Sequence, residues 1–435
     1  MVNKLDKGLR YKLSESHLER SLKVIPLGSQ TFSKSITQYP FGISPLYIRR
    51  AKGSKVWDLD GNKYIDFVNS LASITIGYGD KDINRSVKKQ LNKGVSFSLP
   101  GTLEAEVAEL ITELVPSAEM MRFGKNGTDA TSAAVRLSRA YTNRDHVLVC
   151  GYHGWQDWYI GSTSRNKGVP KIVQQLTHAF EYNNIQSLRK LFDLFPNQIA
   201  CVVMEPMNSK WPEPGFLESV RDLCTINNAV LVFDETITGF RYARGGAQEL
   251  FKIKPDLTAF GKGIANGFPL SVIAGKREIM KEMEQIFFSG TFGGELLSLA
   301  AAKSVLLRHM NSSLTNRLSF IGSRIVEELQ HVISETNMTE FFSVSGHPSW
   351  SFLNWHENET TEVSIMKTYF MQEMFEQGIL ILNTHNVSTS MTSSDIDSLI
   401  LAYQETFFKM SEGIQKNKLH KMLKVDPLVP LFKVR

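Results

Sequence analysis

The sequence predicts an α/β fold in which helices flank a mostly parallel central sheet. Three observations predict it. Four apolar, β-branched runs (HVLVC from His146, IACVVME from Ile199, AVLVF from Ala229 and LTAF from Leu257) have the length and composition of strands buried on both faces. Helical stretches at Gln186 to Phe195 and Phe216 to Asn228 fall between them, at intervals that call for right-handed crossovers into one sheet. A chain of 435 residues with 42% hydrophobic content can bury more core than one small domain needs.

Taken in order, the chain starts with a polar helical stretch and a Ser/Thr/Gly loop, reaching about Ser35. In YIRRAKGSKVWDLDGNKYIDFV, two alternating strands flank Asp60-Gly61-Asn62, a hairpin-turn signal. Lys81 to Leu114 is helical, with a break at Pro100-Gly101. Met120 to Phe123 is extended, Gly124 to Gly127 turns, and Thr128 opens an amphipathic helix. A glycine turn feeding a helix start is an anion site, because unpaired N–H groups and the helix dipole converge there. An ordinary capped start, with Thr128 or Asp129 satisfying its own backbone, fits the same residues.

After the parallel strands, PLSVIAGKREIM gives one further strand of antiparallel sense. Ser289 to Gly294 is a second glycine-rich approach, to a long helix starting near Leu296. Beyond about Phe320 the pattern becomes α+β: a helix at Ile321 to Glu335, the alternating FFSVSGHPSWSFLNWH, a helix at Ser364 to Gln377, the strand GILIL, the loop NTHNVSTSMTSS, and a helix from Asp395 to about Gln415. The division this predicts is residues 1–80 for an N-terminal helix and small β lobe, 81–320 for a large α/β domain, and 321–435 for an α+β domain.

Composition removes several function classes. A net charge of +5 is small for this length and spread along the chain, with one basic run at Lys416 to Arg435, so nucleic acid is not an expected partner. The three cysteines, Cys150, Cys201 and Cys224, lack CxxC spacing and suit buried reduced thiols. No tract is apolar for long enough to span a bilayer, and the N-terminus lacks a signal-peptide core, which predicts a cytoplasmic protein without a membrane partner. No HExxH, paired Cys/His set or Walker loop occurs, so no metal is expected.

The chemistry centres on the Ala229 to Gly267 segment. Its first strand ends in Asp234 and Glu235, and ligands of open α/β sheets bind at such strand ends. Its second is followed by Gly261-Lys262-Gly263, which can present an amine at the bottom of a cleft. An acid at one strand end and a lysine at the next fit a carbonyl cofactor held as a Schiff base, with the acid on a pyridine nitrogen. A helix N-cap and a solvated loop lysine fit the same spacing. Tyr152, beside His153, offers a ring for stacking on a heteroaromatic cofactor, or for packing in a loop.

Together VWDLDGNKYIDF, FGKNGTDATSAAVRLSRAYT, GYHGWQD, MEP, LVFDETITGFRYARGGAQ, PDLTAFGKGIANGFP and SGTFGGE resemble the class III aminotransferases, fold-type I enzymes that use pyridoxal 5'-phosphate. Within them the chain is similar to the glutamate-1-semialdehyde aminomutase subgroup, from about Ile25 into the C-terminal domain. The resemblance implies a smaller α+β domain built from both terminal segments. It makes Lys262 the Schiff-base lysine and Asp234 the partner of the ring nitrogen. Gly127 and Thr128 would hold the phosphate, Tyr152 would stack on the ring, and Thr236 stands where the family often has valine against the other face. Asn126, His153 and Glu205 complete the implied cofactor contacts, although Glu205 equally fits a strand-end polar residue. Thr291 would reach the phosphate of a second subunit, which makes a homodimer part of the site.

Departures from the pattern bear on the substrate. Lys34 replaces an arginine for the substrate carboxylate, and a lysine loses the bidentate fork. Leu71 stands for a tryptophan, and the asparagine after Glu-Pro is displaced, with Asn208 and Lys210 nearby. Where many relatives carry a glutamate after a GVYL-like strand, this chain has His385 and Asn386, whose polarity predicts a more hydroxylated substrate; His385 equally fits a structural role. The expected activity is transfer of an amino group between an amino-acid donor and a carbonyl acceptor, with an acceptor from amino-sugar or surface-polysaccharide metabolism. The alternative is glutamate-1-semialdehyde 2,1-aminomutase chemistry in tetrapyrrole synthesis. A dinucleotide-dependent oxidoreductase fits less well, because the glycines of GKGIANG have the wrong spacing. A cofactor-free relative would have lost Lys262 or Asp234, and both are present.

Overall fold

The computed structural model describes residues 10–358 and 361–428. The stretch before residue 10 and residues 429–435 of the basic run lie outside the described residues. The chain divides into two compact units, one of them Lys81–Arg317 and the other made from the segments up to Asp80 and from Leu318 onward.

In the second of these units, β1 (Ile48–Lys52), β2 (Lys55–Asp58) and β3 (Lys63–Asp66) form an antiparallel ribbon. Asp60-Gly61-Asn62 joins β2 to β3 as expected, but a second hairpin at Gly53-Ser54 makes three strands where two were predicted. The cause is composition: β1 is IRRAK, mostly exposed, and carries no apolar alternation to announce a strand.

Just past β3, Asn69, Ser70, Leu71 and Ala72 all adopt positive φ. Left-handed backbone costs roughly 1–2 kcal/mol for each such residue. Buried polar groups hold the turn in place. Asp66 Oδ1 accepts the N–H groups of Val68 and Asn69, and its Oδ2 accepts the Tyr78 hydroxyl at 2.7 Å.

In the unit Lys81–Arg317, β4 (Met120–Gly124), β5 (His146–Cys150), β6 (Thr177–Ala179), β7 (Ile199–Met204), β8 (Val230–Glu235), β9 (Leu257–Phe260) and β10 (Ser271–Gly275) pair in the order β4-β10-β9-β8-β7-β5-β6. From β9 to β6 all neighbours run parallel, while β10 is antiparallel to both β9 and β4. The sense expected for β10 is therefore observed. The three-residue edge strand β6 was not anticipated, since THA carries no strand signal.

Side chains alternate across this sheet. Val147, Val149, Val203, Val232, Ala259 and Ile273 pack on one face with the helix Gly127–Thr142; Leu148, Val202, Met204, Leu231 and Phe233 pack on the other with the helices Ile185–Leu194 and Phe216–Ile226. Full burial of such side chains stabilises the fold by about 1.5–3 kcal/mol each, so β7 and β8 are anchored on both sides.

The segment after Leu318 adds β11 (Phe342–His347), β12 (Trp350–Trp355), β13 (Ile379–Leu380) and β14 (Thr384–Asn386). β13 pairs parallel to β3, while β11 and β12 form a hairpin whose other edge takes β14. The segment NTHN, expected as loop, thus holds a strand. The three cysteines are free thiols, with Cys201 and Cys224 buried and Cys150 partly so. No described helix is long and apolar enough to cross a membrane.

Candidate active site

The site grows from the end of β8, where two adjacent carboxylates meet opposite fates. By the strand alternation, Asp234 follows Val232 onto the face of the helix Gly127–Thr142, and Glu235 follows Phe233 onto the other. Glu235 is fully buried and accepts from the backbone of Ala247 and Gln248, from the Thr238 hydroxyl and from the Gln248 amide. It ties down the loop after β8 and caps the short helix Ala247–Phe251.

Asp234 is also buried, and it takes donors on both oxygens. Thr236 gives its N–H (3.1 Å) and its hydroxyl (2.6 Å) to Oδ1, and His153 Nδ1 donates to Oδ2 at 2.9 Å. The two acids shift in opposite directions. Burial alone would raise Asp234, but the hydrogen bond and charge interaction with His153, then the bonds from Thr236, hold it below the ordinary carboxylate value. For Glu235, burial outweighs its hydrogen bonds and pushes the carboxyl up.

The Cys150–Tyr159 stretch after β5 delivers His153. The His153 carbonyl accepts the Thr131 hydroxyl at 2.9 Å, and the ring stacks near Trp158 and meets Tyr159 edge-on. Tyr152 meets Tyr159 edge-on at 5.6 Å, and the Tyr159 hydroxyl is fixed on the Gly151 carbonyl. Gly154 (φ 108) lies so close to Thr128 that a Cβ there would overlap Thr128 Oγ1. The GYHG glycines are what bring this loop onto the helix start.

At that start, Asn126 is the N-cap of Gly127–Thr142, one residue earlier than expected, and Asp129 accepts the N–H groups of Lys125 and Asn126. A Cβ on Gly127 would lie 2.9 Å from Thr236 Cγ2, and one on Gly261 would lie 3.1 Å from the same methyl. The glycine before Lys262, the helix start and the loop after Asp234 thus converge on Thr236. Lys262 is half-buried, with φ 43, a left-handed non-glycine residue of the sort that collects at functional sites. Glu205, at the end of β7, is buried beside Gly151 and accepts the Asn208 side-chain amide at 2.9 Å.

The residues present fit pyridoxal 5'-phosphate. Thr128 Oγ1 is buried at a helix start without a hydrogen-bond partner, as is His153 Nε2 on the loop beside it. The first is a hydroxyl donor at a helix start, a setting that suits a phosphate. The buried Asp234 carboxylate suits a pyridine nitrogen, and Gly127, Gly154 and Gly261 let the surrounding loops and the helix start approach one another this closely.

Among the other residues singled out from sequence, Thr291 is exposed on the loop before the helix Leu296–Asn311. Lys34 is exposed at the end of a short helical turn; burial pushes the Asp66 carboxyl up, and the Lys34 charge offsets a small part of that rise. His385 and Asn386 lie inside the protein, and for His385 this is the structural role that the sequence equally fitted. His385 is fully buried, with Nδ1 bonded to Ser351 Oγ at 2.8 Å and Nε2 to the Tyr403 hydroxyl at 2.9 Å. Asn386 is buried too, and donates to the Val68 carbonyl while its own carbonyl accepts from Asn69. Their polarity is consumed inside the protein, so neither presents a group to a substrate.

Sequence reasoning missed Thr131, Glu235 as a loop anchor, and the hydroxyl bond of Thr236. The paired glycines around Tyr152-His153 were the signal for the first; the others depend on strand alternation and on a rotamer.

The chain matches the model of the family described as aminotransferase class-III over residues 40–396. It is 34% identical over 429 residues to a glutamate-1-semialdehyde 2,1-aminomutase of Alkaliphilus oremlandii, covering 92% of this chain and 99% of that one. An omega-transaminase of Sphaerobacter thermophilus superposes with a TM-score of 0.84 at 26% identity, over 93% of this chain and 100% of that one. The FumI protein of Sphingopyxis sp. MTA144, solved with its pyridoxal phosphate as the internal aldimine, gives 0.87 at 25% identity over 95% and 100%. With its mostly parallel sheet, its buried acid and its glycine-cradled helix start, the chain belongs to the class III aminotransferases, fold-type I enzymes dependent on pyridoxal 5'-phosphate.

Proposed function

We propose that the protein transfers an amino group between an amino-acid donor and a carbonyl acceptor, with Lys262 and Asp234 as its catalytic residues. The observation that carries this is the buried Asp234 carboxylate, ionised between His153 and Thr236 beside the partnerless Thr128 hydroxyl. Pyridoxal 5'-phosphate, when bound, supplies an electron-withdrawing ring. Asp234 holds the proton on its ring nitrogen, and Asn126, Gly127 and Thr128 hold its phosphate. Tyr152 covers the ring, and the amine of Lys262 carries the proton that moves at the substrate carbon.

A homodimer is part of the proposal, with Thr291 of each copy reaching the phosphate bound by the other. Thr291 is flanked by the exposed side chains of Phe287 and Phe292, and exposed Phe97 and Leu99 lie on the loop whose Val95 carbonyl accepts the N–H of Leu296. These exposed apolar groups near Thr291 support a subunit contact there.

Borohydride reduction of the yellow protein followed by peptide mapping tests the site. A cofactor adduct on the peptide containing Lys262 is expected; an adduct on another lysine would overturn the assignment.

The relatives named as aminomutases favour a second activity, transfer of nitrogen within one molecule of glutamate-1-semialdehyde. Lys34 and Leu71, which replace the arginine and tryptophan of that pattern, weigh against it. Turnover of the semialdehyde without consumption of a separate amino donor would select it. With His385 and Asn386 buried as structural groups, a hydroxylated acceptor loses the polarity argument that pointed to it.

A further inference from the structure

Thr236 makes two contacts that fix one rotamer. Its methyl occupies a slot between Gly127 and Gly261, so tight that a Cβ on either glycine would lie within 3.1 Å of it. With the methyl seated there, the hydroxyl points to Asp234 Oδ1, 2.6 Å away. A valine, frequent at this position in the resembling family, would fill the same slot and donate nothing.

The other Asp234 oxygen is served by His153. The carboxylate is therefore gripped on both oxygens by side-chain donors, one on each of the loops that follow β5 and β8. Every such donor stabilises the ionised form over the protonated one.

We infer that Thr236 is a positioning residue for the ring acid: its hydroxyl keeps Asp234 ionised and aimed, so that the proton shared with the cofactor resides on the pyridine nitrogen. The inference rests on the assignment of Asp234 to that nitrogen. The depressed titration of Asp234 is consistent with it. A competing role is purely local, because a threonine two residues after an aspartate can close a turn without any effect on a ligand.

The two roles separate by ligand. Cofactor-free full-length protein is titrated with pyridoxal 5'-phosphate and with its 1-deaza analogue, which keeps the aldehyde and phosphate but has carbon in place of the ring nitrogen. Quenching of tryptophan emission reports binding to the wild type, Thr236→Val, Thr236→Ser and Asp234→Ala. The wild type should prefer pyridoxal phosphate. Thr236→Val should lower that preference about tenfold, the worth of one hydrogen bond to a charged group. Thr236→Ser, which keeps the hydroxyl, should hold the preference within about twofold even where both affinities fall.

An unchanged preference in Thr236→Val, or an equal loss in Thr236→Ser, would overturn the inference while leaving Asp234 in place. A wild type without preference, matched by Asp234→Ala, would overturn the Asp234 assignment and the inference with it.

Discussion

His153 Nδ1 lies 2.9 Å from Asp234 Oδ2, and both side chains are buried. A hydrogen bond to a buried charge is worth about 1.5–3 kcal/mol. His153→Phe keeps an aromatic ring against Trp158 and Tyr159 and removes the donor. Urea unfolding of the cofactor-free variant should show a loss of about 2 kcal/mol. Because Asp234 titrates below its ordinary value of 3.8, its contribution is complete above that value and is lost as the pH falls through the lower folded value. The loss in His153→Phe that comes through Asp234 should therefore be the same at pH 6 and pH 8.

Glu235 separates fold from chemistry. Glu235→Gln places an amide against groups that are all donors, and should destabilise the protein by roughly 2–4 kcal/mol in thermal or urea unfolding. Protein that stays folded should bind pyridoxal phosphate within about threefold of the wild type, since the side chain points away from Asp234.

The glycines of the site are steric requirements. Gly154→Ala would drive a methyl into Thr128 at a positive φ, and Gly127→Ala would press on Thr236. Each should weaken cofactor binding about tenfold or more in equilibrium dialysis, while far-ultraviolet dichroism stays that of the folded protein.

His309 is fully buried, packs on Phe240, and burial lowers its titration from 6.5 to about 4. Its neutral form is the folded one. Stability is therefore complete above 6.5 and declines as the pH falls towards about 4, because only the unfolded chain takes up the proton. His309→Leu should remove this decline. Between pH 7 and pH 5 the variant should lose about 2 kcal/mol less than the wild type in urea unfolding.

The left-handed turn gives a fifth region to probe. Ser70→Gly relieves a positive φ at a partly exposed position and should raise the unfolding midpoint, by an amount equivalent to about 1 kcal/mol. Loss of stability would mean that the Ser70 side chain earns more than its backbone costs.

The parallel strands were legible because β7 and β8 are buried on both faces and must read as unbroken apolar runs. β1 and β14 were not, for IRRAK is exposed and THN is polar, and neither alternates. The same polarity made His385 look like a ligand contact, although Ser351 and Tyr403, distant in sequence, were its partners. The strand that ends in Asp234 and Glu235, the strand before Lys262 and the helix start at Gly127 were legible through their apolar runs and the glycines that follow or precede them. That His153 would reach Asp234 follows from the placing of β7 between β5 and β8, which no local pattern records.

The alternation along β8 also sets a rule of parity. Slipping this strand by one residue would exchange Asp234 and Glu235, leaving four donors of the 238–248 loop without their anion and setting the longer acid among His153 and Thr236. Insertions of an odd number of residues within β8 should therefore abolish the protein altogether, whereas the loop from 236 to 246 can change length without reversing which acid faces which way. Which acid faces His153 and Thr236 is thus inherited from the count of residues that precede it in the strand.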